Sequence, residues 1–279
     1  MFVRAYPAGK PLVLPTGPYL LLPFVADGEL LVHHNRHGAS LLRGDSAPDN
    51  ALFIGTLDGL PCLAYFQVPA ADDDAVEPEG LRRLGLRALF GHLADEETTV
   101  AGYASQLIRW QKNARFCPSC GGPTHNDDGW NQKCAACGFN HYPPATPAVL
   151  ILVHDGAGNI LLGQKEGWGK RYSILAGFVE PGESLEDCCR RETIEEVQIT
   201  IGECVYDGSQ PWPFPHQLMV GFICRYESGQ IVPDPTELSH AAWFHHTSLP
   251  ELPPSYALSR QLIDRWIAKQ AERRNATLL

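Results

Sequence analysis

Basic residues are scarce in this chain. Lys and Arg together number 22 against 32 Asp and Glu, a formal charge of −10. Proteins that track a nucleic-acid backbone neutralise its phosphates with Lys and Arg, so an extended nucleic-acid surface is disfavoured. A small phosphorylated substrate is not excluded, because carboxylates can hold divalent cations and those cations can hold phosphates. Long apolar runs are missing too. A membrane helix needs about 20 apolar residues, and the longest early run, 19–26, is interrupted by Pro23. No membrane span is expected. The N-terminal stretch shows no basic segment followed by an apolar core and a small-residue cleavage site, which reads as no secretion signal.

A disulfide framework is also absent from the pattern of the nine cysteines. Four stand as two tight pairs, Cys117/Cys120 and Cys134/Cys137. The other five, Cys62, Cys188, Cys189, Cys204 and Cys224, sit mostly among apolar neighbours, where a free thiol behaves as a small hydrophobe. Their odd number does not suit a secreted disulfide scaffold, and a reducing cytoplasm fits better.

At 279 residues the chain has room for more than one domain. Residues 1–112 read as a mixed α/β domain, with strands at 18–26, 29–34, 51–54 and 61–68, a surface loop at 70–80, and helical spacing over 81–93 and 96–113. The cluster His33, His34 and His37 reads as solvated or partly buried, because neighbours on a strand point to opposite faces. Residues 113–143 form a compact cysteine block. From 144 to 279 strands are expected at 148–154 and 160–165, joined by the turn 155–159, and again at 217–226 and 241–245. Helices are expected over 183–198 and, after Pro253-Pro254, over 255–274. Strands alternating with two helices make an α/β (α+β) sandwich.

Cys117-Pro-Ser-Cys120 and Cys134-Ala-Ala-Cys137 have the spacing of two zinc knuckles. Gly121 and Gly138 follow them, where the turns need positive φ. Four thiolates fill the tetrahedral shell of Zn²⁺ and leave no place for a water, so the site should be structural. The block could instead read nucleic acid, but its bases, Arg109, Lys112, Arg115 and Lys133, are few and interleaved with Asp127 and Asp128.

Ser184 followed by Asp187 marks a capping-box start. On the helix behind it, Glu192, Glu195 and Glu196 are spaced i, i+3, i+4 and share one face. Crowded carboxylates repel, and Mg²⁺ or Mn²⁺ would relieve them. The alternative is a solvated acidic face with Arg190 and Arg191 as local partners.

The full stretch from Gly177 through Glu183, Arg191, Glu192, Glu195, Glu196 and Ile199 resembles the Nudix box, matching its fixed positions in register. The resemblance implies an α/β/α sandwich whose loop and helix form a metal–pyrophosphate platform. Glu192, Glu195 and Glu196 would hold Mg²⁺ or Mn²⁺, while Arg191 and Glu183 would brace the loop. Thr193 replaces the usual aliphatic residue, and Gln198 replaces the Gly after the helix. Either Gln198 takes the left-handed conformation at a cost, or the chain leaves the helix by another route. Ile199 keeps the family register and favours the first.

Shortly downstream, Ser209-Gln-Pro-Trp-Pro-Phe-Pro215 has three prolines at alternate positions, which should hold the backbone extended and preset Trp212 and Phe214. Such a loop can also merely cover a core. The run is similar to the hallmark of the NADH pyrophosphatase branch of the Nudix hydrolases, with Gln217 in place of its final Ser. That branch also carries a four-cysteine zinc ribbon followed by a Tyr-Pro step, as at Tyr142-Pro143. The resemblance runs from about Arg109 onward. It implies hydrolysis of NAD(H) to nicotinamide mononucleotide and AMP, a homodimer with a shared site and, in some members, removal of NAD caps from RNA. By matched position, Tyr142 and Phe178 would lie against the bases. Ser209, Gln210, Trp212 and Gln217 would line the site. Glu237 would assist the metal or the water, and Ser259 would fall near the adenine. The general base stays open among Glu195, Glu196 and Glu237. A nucleotide sensor without turnover is the contrasting reading, disfavoured by the complete carboxylate set.

Overall fold

The computed structural model describes residues 1–5, 16–26, 28–67, 79–126 and 131–277. The loop expected over 70–80 lies outside them apart from its last two residues, as do Asp127 and Asp128. The chain divides into two compact units, Met1–Pro144 and Ala145–Leu279.

Among the described residues, an eight-stranded sheet forms the body of the first unit. Its strands are β1 (Phe2–Arg4), β2 (Tyr19–Ala26), β3 (Glu29–Asn35), β4 (Gly38–Ser40), β5 (Leu42–Gly44), β6 (Leu52–Leu57), β7 (Leu60–Phe66) and β8 (Leu81–Gly85). Strand β2 runs parallel to β7 and antiparallel to β3 and β5. Two helices follow, α1 (Leu86–Leu89) and α2 (Asp95–Asn113). Helix α2 opens on Asp95, Glu96 and Glu97, whose charge suits the positive end of the helix dipole. It buries Val100, Ala101, Ala104, Leu107 and Ile108, one apolar stripe at helical spacing.

The helix expected over 81–93 is a strand for its first part. Residues Leu81 to Gly85 pair antiparallel with His33 to Glu29, and the helix shrinks to α1. The leucines fit either period. The open edge of β3 offers the backbone partners that a helix would supply internally, and tertiary pairing overrides local preference. His33 and His37 are exposed and His34 is half-buried, as read from the strand pattern. The unit ends in a three-stranded sheet of β9 (Thr124–Asn126), β10 (Gln132–Cys134) and β11 (Asn140–His141).

The second unit contains a six-stranded sheet among the described residues. Its elements are β12 (Thr146–His154), β13 (Asn159–Gln164), β14 (Leu175–Phe178), helix α3 (Leu185–Val197), β15 (Ile199–Trp212), β16 (Gln217–Gly229), β17 (His240–His245) and helix α4 (Leu258–Thr277). The order is β15-β16-β12-β13-β17, with β14 paired to β12. Strand β12 runs parallel to β16 at the centre and is apolar on both faces. Val149, Ile151 and Val153 pack in one core with Cys188, Cys189 and Val197 of α3. Leu150 and Leu152 pack in the other with Leu258, Leu262, Ile263 and Trp266 of α4. Alternation of side chains along one strand thus builds both cores, and the result is an α/β/α sandwich.

Two departures from the sequence reading fall on β15. Residues 199–208 showed no strand period, because register shifts at Thr200/Ile201, Ile201/Cys204 and Tyr206/Ser209 break the alternation. The proline run stays extended only through Trp212. Residues 213–216 then turn the chain back, and Trp212 pairs with Gln217. Pro211, which has no N–H, is tolerated because β15 is an edge strand.

Helix α3 starts as expected. The Ser184 hydroxyl accepts the Asp187 N–H at 3.1 Å and donates to Asp187 Oδ2 at 2.6 Å. At the other end Gln198 is left-handed, φ 58° and ψ 31°, and its N–H donates to Ile194 O. A side chain in that conformation costs about 1 kcal/mol relative to Gly. Gln198→Gly should therefore raise the melting temperature by about a degree or more with kcat unchanged. An unchanged or lowered melting temperature would show that the surroundings compensate the strain.

Candidate active site

One face of α3 and the loop before it carry a dense, partly buried ionic network. Arg191 lies at its centre. Its guanidinium donates to Glu183 at 2.5 and 3.0 Å, to Glu192 at 2.9 Å, to Glu195 at 2.8 Å and to the Phe178 carbonyl at 2.8 Å. One side chain thus ties the loop after β14, through Glu183, to Glu192 and Glu195 of α3. The Glu183 carboxyl also accepts the Glu180 N–H at 3.0 Å, which fixes the loop. Arg191 and that N–H hold the Glu183 carboxyl at about 2, well below the usual range.

Glu196 sits differently. It is 1% exposed, and neither of its carboxylate oxygens has a hydrogen-bond partner. Burial pushes its carboxyl up to about 7, offset in part by Lys165, whose Nζ lies 3.6 Å away. Burial also raises Glu192. The same Lys165 bonds Glu237 at 3.2 Å. Glu237 is placed by local turn chemistry: Asp234 Oδ1 accepts from the Thr236 N–H and hydroxyl, and the Asp234 N–H donates to the Glu196 carbonyl at 2.9 Å. The loop bearing Glu237 is therefore pinned to the turn of α3 that bears Glu196. A buried carboxylate with no donor, flanked by two acidic neighbours, has the chemistry of a cation ligand.

The remaining candidate residues lie on other elements. In the second unit Phe178 is 52% exposed at the end of β14. Trp212 and Phe214 meet edge to face at 5.1 Å. Ser209 Oγ accepts from the Tyr206 hydroxyl at 3.4 Å, and Ser259 is buried on α4. Gln210 is committed to the fold: its amide donates to Tyr256 O and accepts the Leu258 N–H, both at 2.8 Å, which secures the start of α4. In the first unit Tyr142 is 52% exposed. There Cys117, Cys120, Cys134 and Cys137 converge all four sulfurs within 4.8 Å, as a tetrahedral metal site requires. Gly121 and Gly138 have φ of 73° and 75°, as the knuckle turns demand.

Residues 144–266 match the NUDIX domain, and residues 20–110 match the NADH pyrophosphatase-like rudimentary NUDIX domain. The chain is similar to proteins named NAD-capped RNA hydrolase NudC. That of Deinococcus radiodurans is 37% identical over 264 residues, 92% of this chain and 91% of that protein. That of Stutzerimonas stutzeri is 40% identical over 222 residues, 79% of this chain and 78% of that protein. The chain belongs to the Nudix hydrolases. It falls in their NADH pyrophosphatase branch, a family that works with divalent metal.

The Nudix box positions have visible physical reasons here. Gly177 pairs with Val149 beside α3, and a Cβ on it would overlap the Glu192 carboxylate. Gly177→Ala should displace Glu192 and lower kcat/KM by about tenfold. Steady-state kinetics checks this, and an unchanged value would show that Glu192 can move freely. Thr193 stands in an apolar slot because its hydroxyl is satisfied internally, donating to the Cys189 carbonyl at 2.6 Å. Lys165 escaped the sequence reading. It is an ordinary lysine at the end of an expected strand, and no motif marks it; only the fold sets it between Glu196 and Glu237.

Proposed function

We propose that this Nudix hydrolase cleaves the pyrophosphate bond of NAD(H) to nicotinamide mononucleotide and AMP, and by the same chemistry removes NAD caps from the 5′ end of RNA. The observation that carries the reading is the donor-free, buried Glu196 carboxylate among Glu192, Glu195 and Glu237. Similarity to NAD-capped RNA hydrolases over most of the chain supports the substrate. The described residues include no helix long and apolar enough to cross a membrane, and we place the enzyme in the cytoplasm because its free thiols suit a reducing compartment. We read it as a homodimer, with a zinc ribbon (113–143) between an N-terminal domain (1–112) and a catalytic domain (144–279).

Glu192, Glu195, Glu196 and Glu237 would hold Mg²⁺ or Mn²⁺. Bound divalent cations neutralise the phosphate oxygens, polarise the phosphorus centre and lower the pKa of a water. Arg191 keeps Glu192 and Glu195 aimed and locks Glu183 in the loop. Lys165 partly offsets the crowded charge of Glu196 and Glu237. A carboxylate among Glu195, Glu196 and Glu237 accepts the proton of the attacking water. In the second unit Phe178 offers a half-exposed ring for stacking on a base, with Trp212 lining the same unit; Tyr142, a half-exposed ring of the first unit, is proposed for the other base by resemblance alone. Ser209, Gln217 and Ser259 supply polar contacts, and Gln210 supports the site by holding the start of α4. Cys117, Cys120, Cys134 and Cys137 would hold Zn²⁺ with its shell closed, leaving it a structural role.

Product analysis tests the proposal, with NADH, ADP-ribose and NAD-capped RNA compared with and without Mn²⁺. The expected products are reduced mononucleotide plus AMP from NADH, and 5′-monophosphate RNA from the capped transcript. Tight NADH binding without hydrolysis at saturating metal would favour a nucleotide sensor instead.

A further inference from the structure

Five cysteines outside the four-cysteine block read from the sequence as small apolar fillers. The fold gathers three of them. Cys189 of α3, Cys204 of β15 and Cys224 of β16 bring their sulfurs within 4.8 Å of one another. Cys204 and Cys224 face each other in the register of the two strands, and Cys189 reaches them from the helix packed above. All three are free thiols. Cys189 and Cys224 are buried, and Cys204 is partly exposed.

Three sulfurs from three different elements within 4.8 Å of one another are close enough to share one cation. Three thiolates around one cation at about 2.3 Å stand roughly 4 Å apart, a separation this trio reaches with small side-chain adjustments. Soft thiolate donors select cations such as Zn²⁺ or Cu⁺ over Mg²⁺. The charge is also manageable. Three thiolates and a dication leave one net negative charge, and the Arg190 guanidinium acts electrostatically on both Cys204 and Cys224. Cys204 is the one member of the trio that is not buried, so a cation would reach the site from its side.

We propose that Cys189, Cys204 and Cys224 form a second metal site, for a thiophilic cation with a filled d shell such as Zn²⁺, that fastens α3 to β15 and β16. On binding, each thiol loses its proton to solvent, so one dication displaces three protons and forms three metal–sulfur bonds. Cys189 precedes Glu192 by one helical turn, so an occupied site fixes the register of the helix that presents the glutamates. Thr193, bonded to the Cys189 carbonyl, strengthens that same turn. The site has three thiolates where the four-cysteine block has four, so its metal should exchange faster.

The test uses the full chain, reduced, with excess Mg²⁺ to occupy the carboxylates. After equilibration with Zn²⁺ and desalting, elemental analysis should give about two zinc ions per chain. Cys204→Ala and Cys224→Ala should each retain about one. With Cd²⁺ as the probe, the ultraviolet absorption of cadmium thiolate should keep rising through a second equivalent in the wild type and stop after the first in Cys204→Ala. One zinc per wild-type chain, or two in both variants, overturns the proposal. Should a variant fail to fold, the wild-type cadmium titration decides alone, and saturation at the first equivalent overturns it.

Discussion

Replacing Glu196 by Gln should lower turnover by roughly 10²–10³-fold, as expected when charge stabilisation of a transition state is lost. The side chain is isosteric and buried, so circular dichroism should show an intact fold. The size of the effect follows from position: Glu196 is 1% exposed, has no hydrogen-bond donor on either oxygen and lies 3.6 Å from Lys165. A carboxylate kept in that setting costs stability in the free protein, and a bound cation would remove the cost. Near wild-type activity of the variant in Mg²⁺ or Mn²⁺ would refute the platform. The pH dependence has a definite sign. Burial raises the Glu196 carboxyl from 4.5 to about 7 in the folded state, so the folded chain holds a proton there that the unfolded chain has released. Stability from this group is complete below pH 4.5 and is lost as pH rises through about 7. In chelator, the wild type should melt lower at pH 8 than at pH 5, and Glu196→Gln should flatten that difference. A melting profile of the same slope for both proteins would mean that Glu196 is not the group responsible.

Cys117→Ser should remove zinc from the four-cysteine block and sharply lower the melting temperature. Structural zinc binding is worth on the order of 10 kcal/mol in small ribbons, and that binding energy is linked to folding. The three short strands β9, β10 and β11 have little core of their own, and the sulfurs of Cys117 and Cys134 are the buried centre around which their turns close. Cys117 sits inside this set, with Cys137 Sγ at 3.7 Å and the Ser119 N–H donating to its own sulfur at 3.4 Å. Zinc content and thermal melting report the loss. Whatever protein stays folded should still need Mg²⁺ or Mn²⁺, because the glutamates belong to the other unit. A zinc-replete enzyme that turns over substrate with no other divalent cation would contradict this separation of roles.

Most of the catalytic unit could be read from the chain, and the reasons are local. Ser184 and Asp187 start a helix by bonding three residues apart, and Glu192, Glu195 and Glu196 share a face because a helix repeats every 3.6 residues. The strand expected at 148–154 lies within β12, which the fold buries on both faces. The two cysteine pairs carried their own turn glycines. These features depend on neighbours within about four residues, which is the range over which sequence spacing sets geometry.

The misses share a different origin. Leu81 to Gly85 became a strand because β3 had an open edge far back in the chain, where Leu81 pairs with His33 and Gly85 with Glu29, and a helix period alone held no information about that pairing. The bulges of β15 hid a 14-residue strand by breaking its alternation. Lys165 joined Glu196 and Glu237, and Cys189 met Cys204 and Cys224, through sheet register and helix docking alone. The sequence by itself determined the family, the carboxylate helix and the cysteine block, because each is written in short-range spacing. The tertiary structure alone decided which carboxylate is buried without a donor, which lysine answers it and which thiols converge, because those depend on strand pairing between residues far apart in the chain.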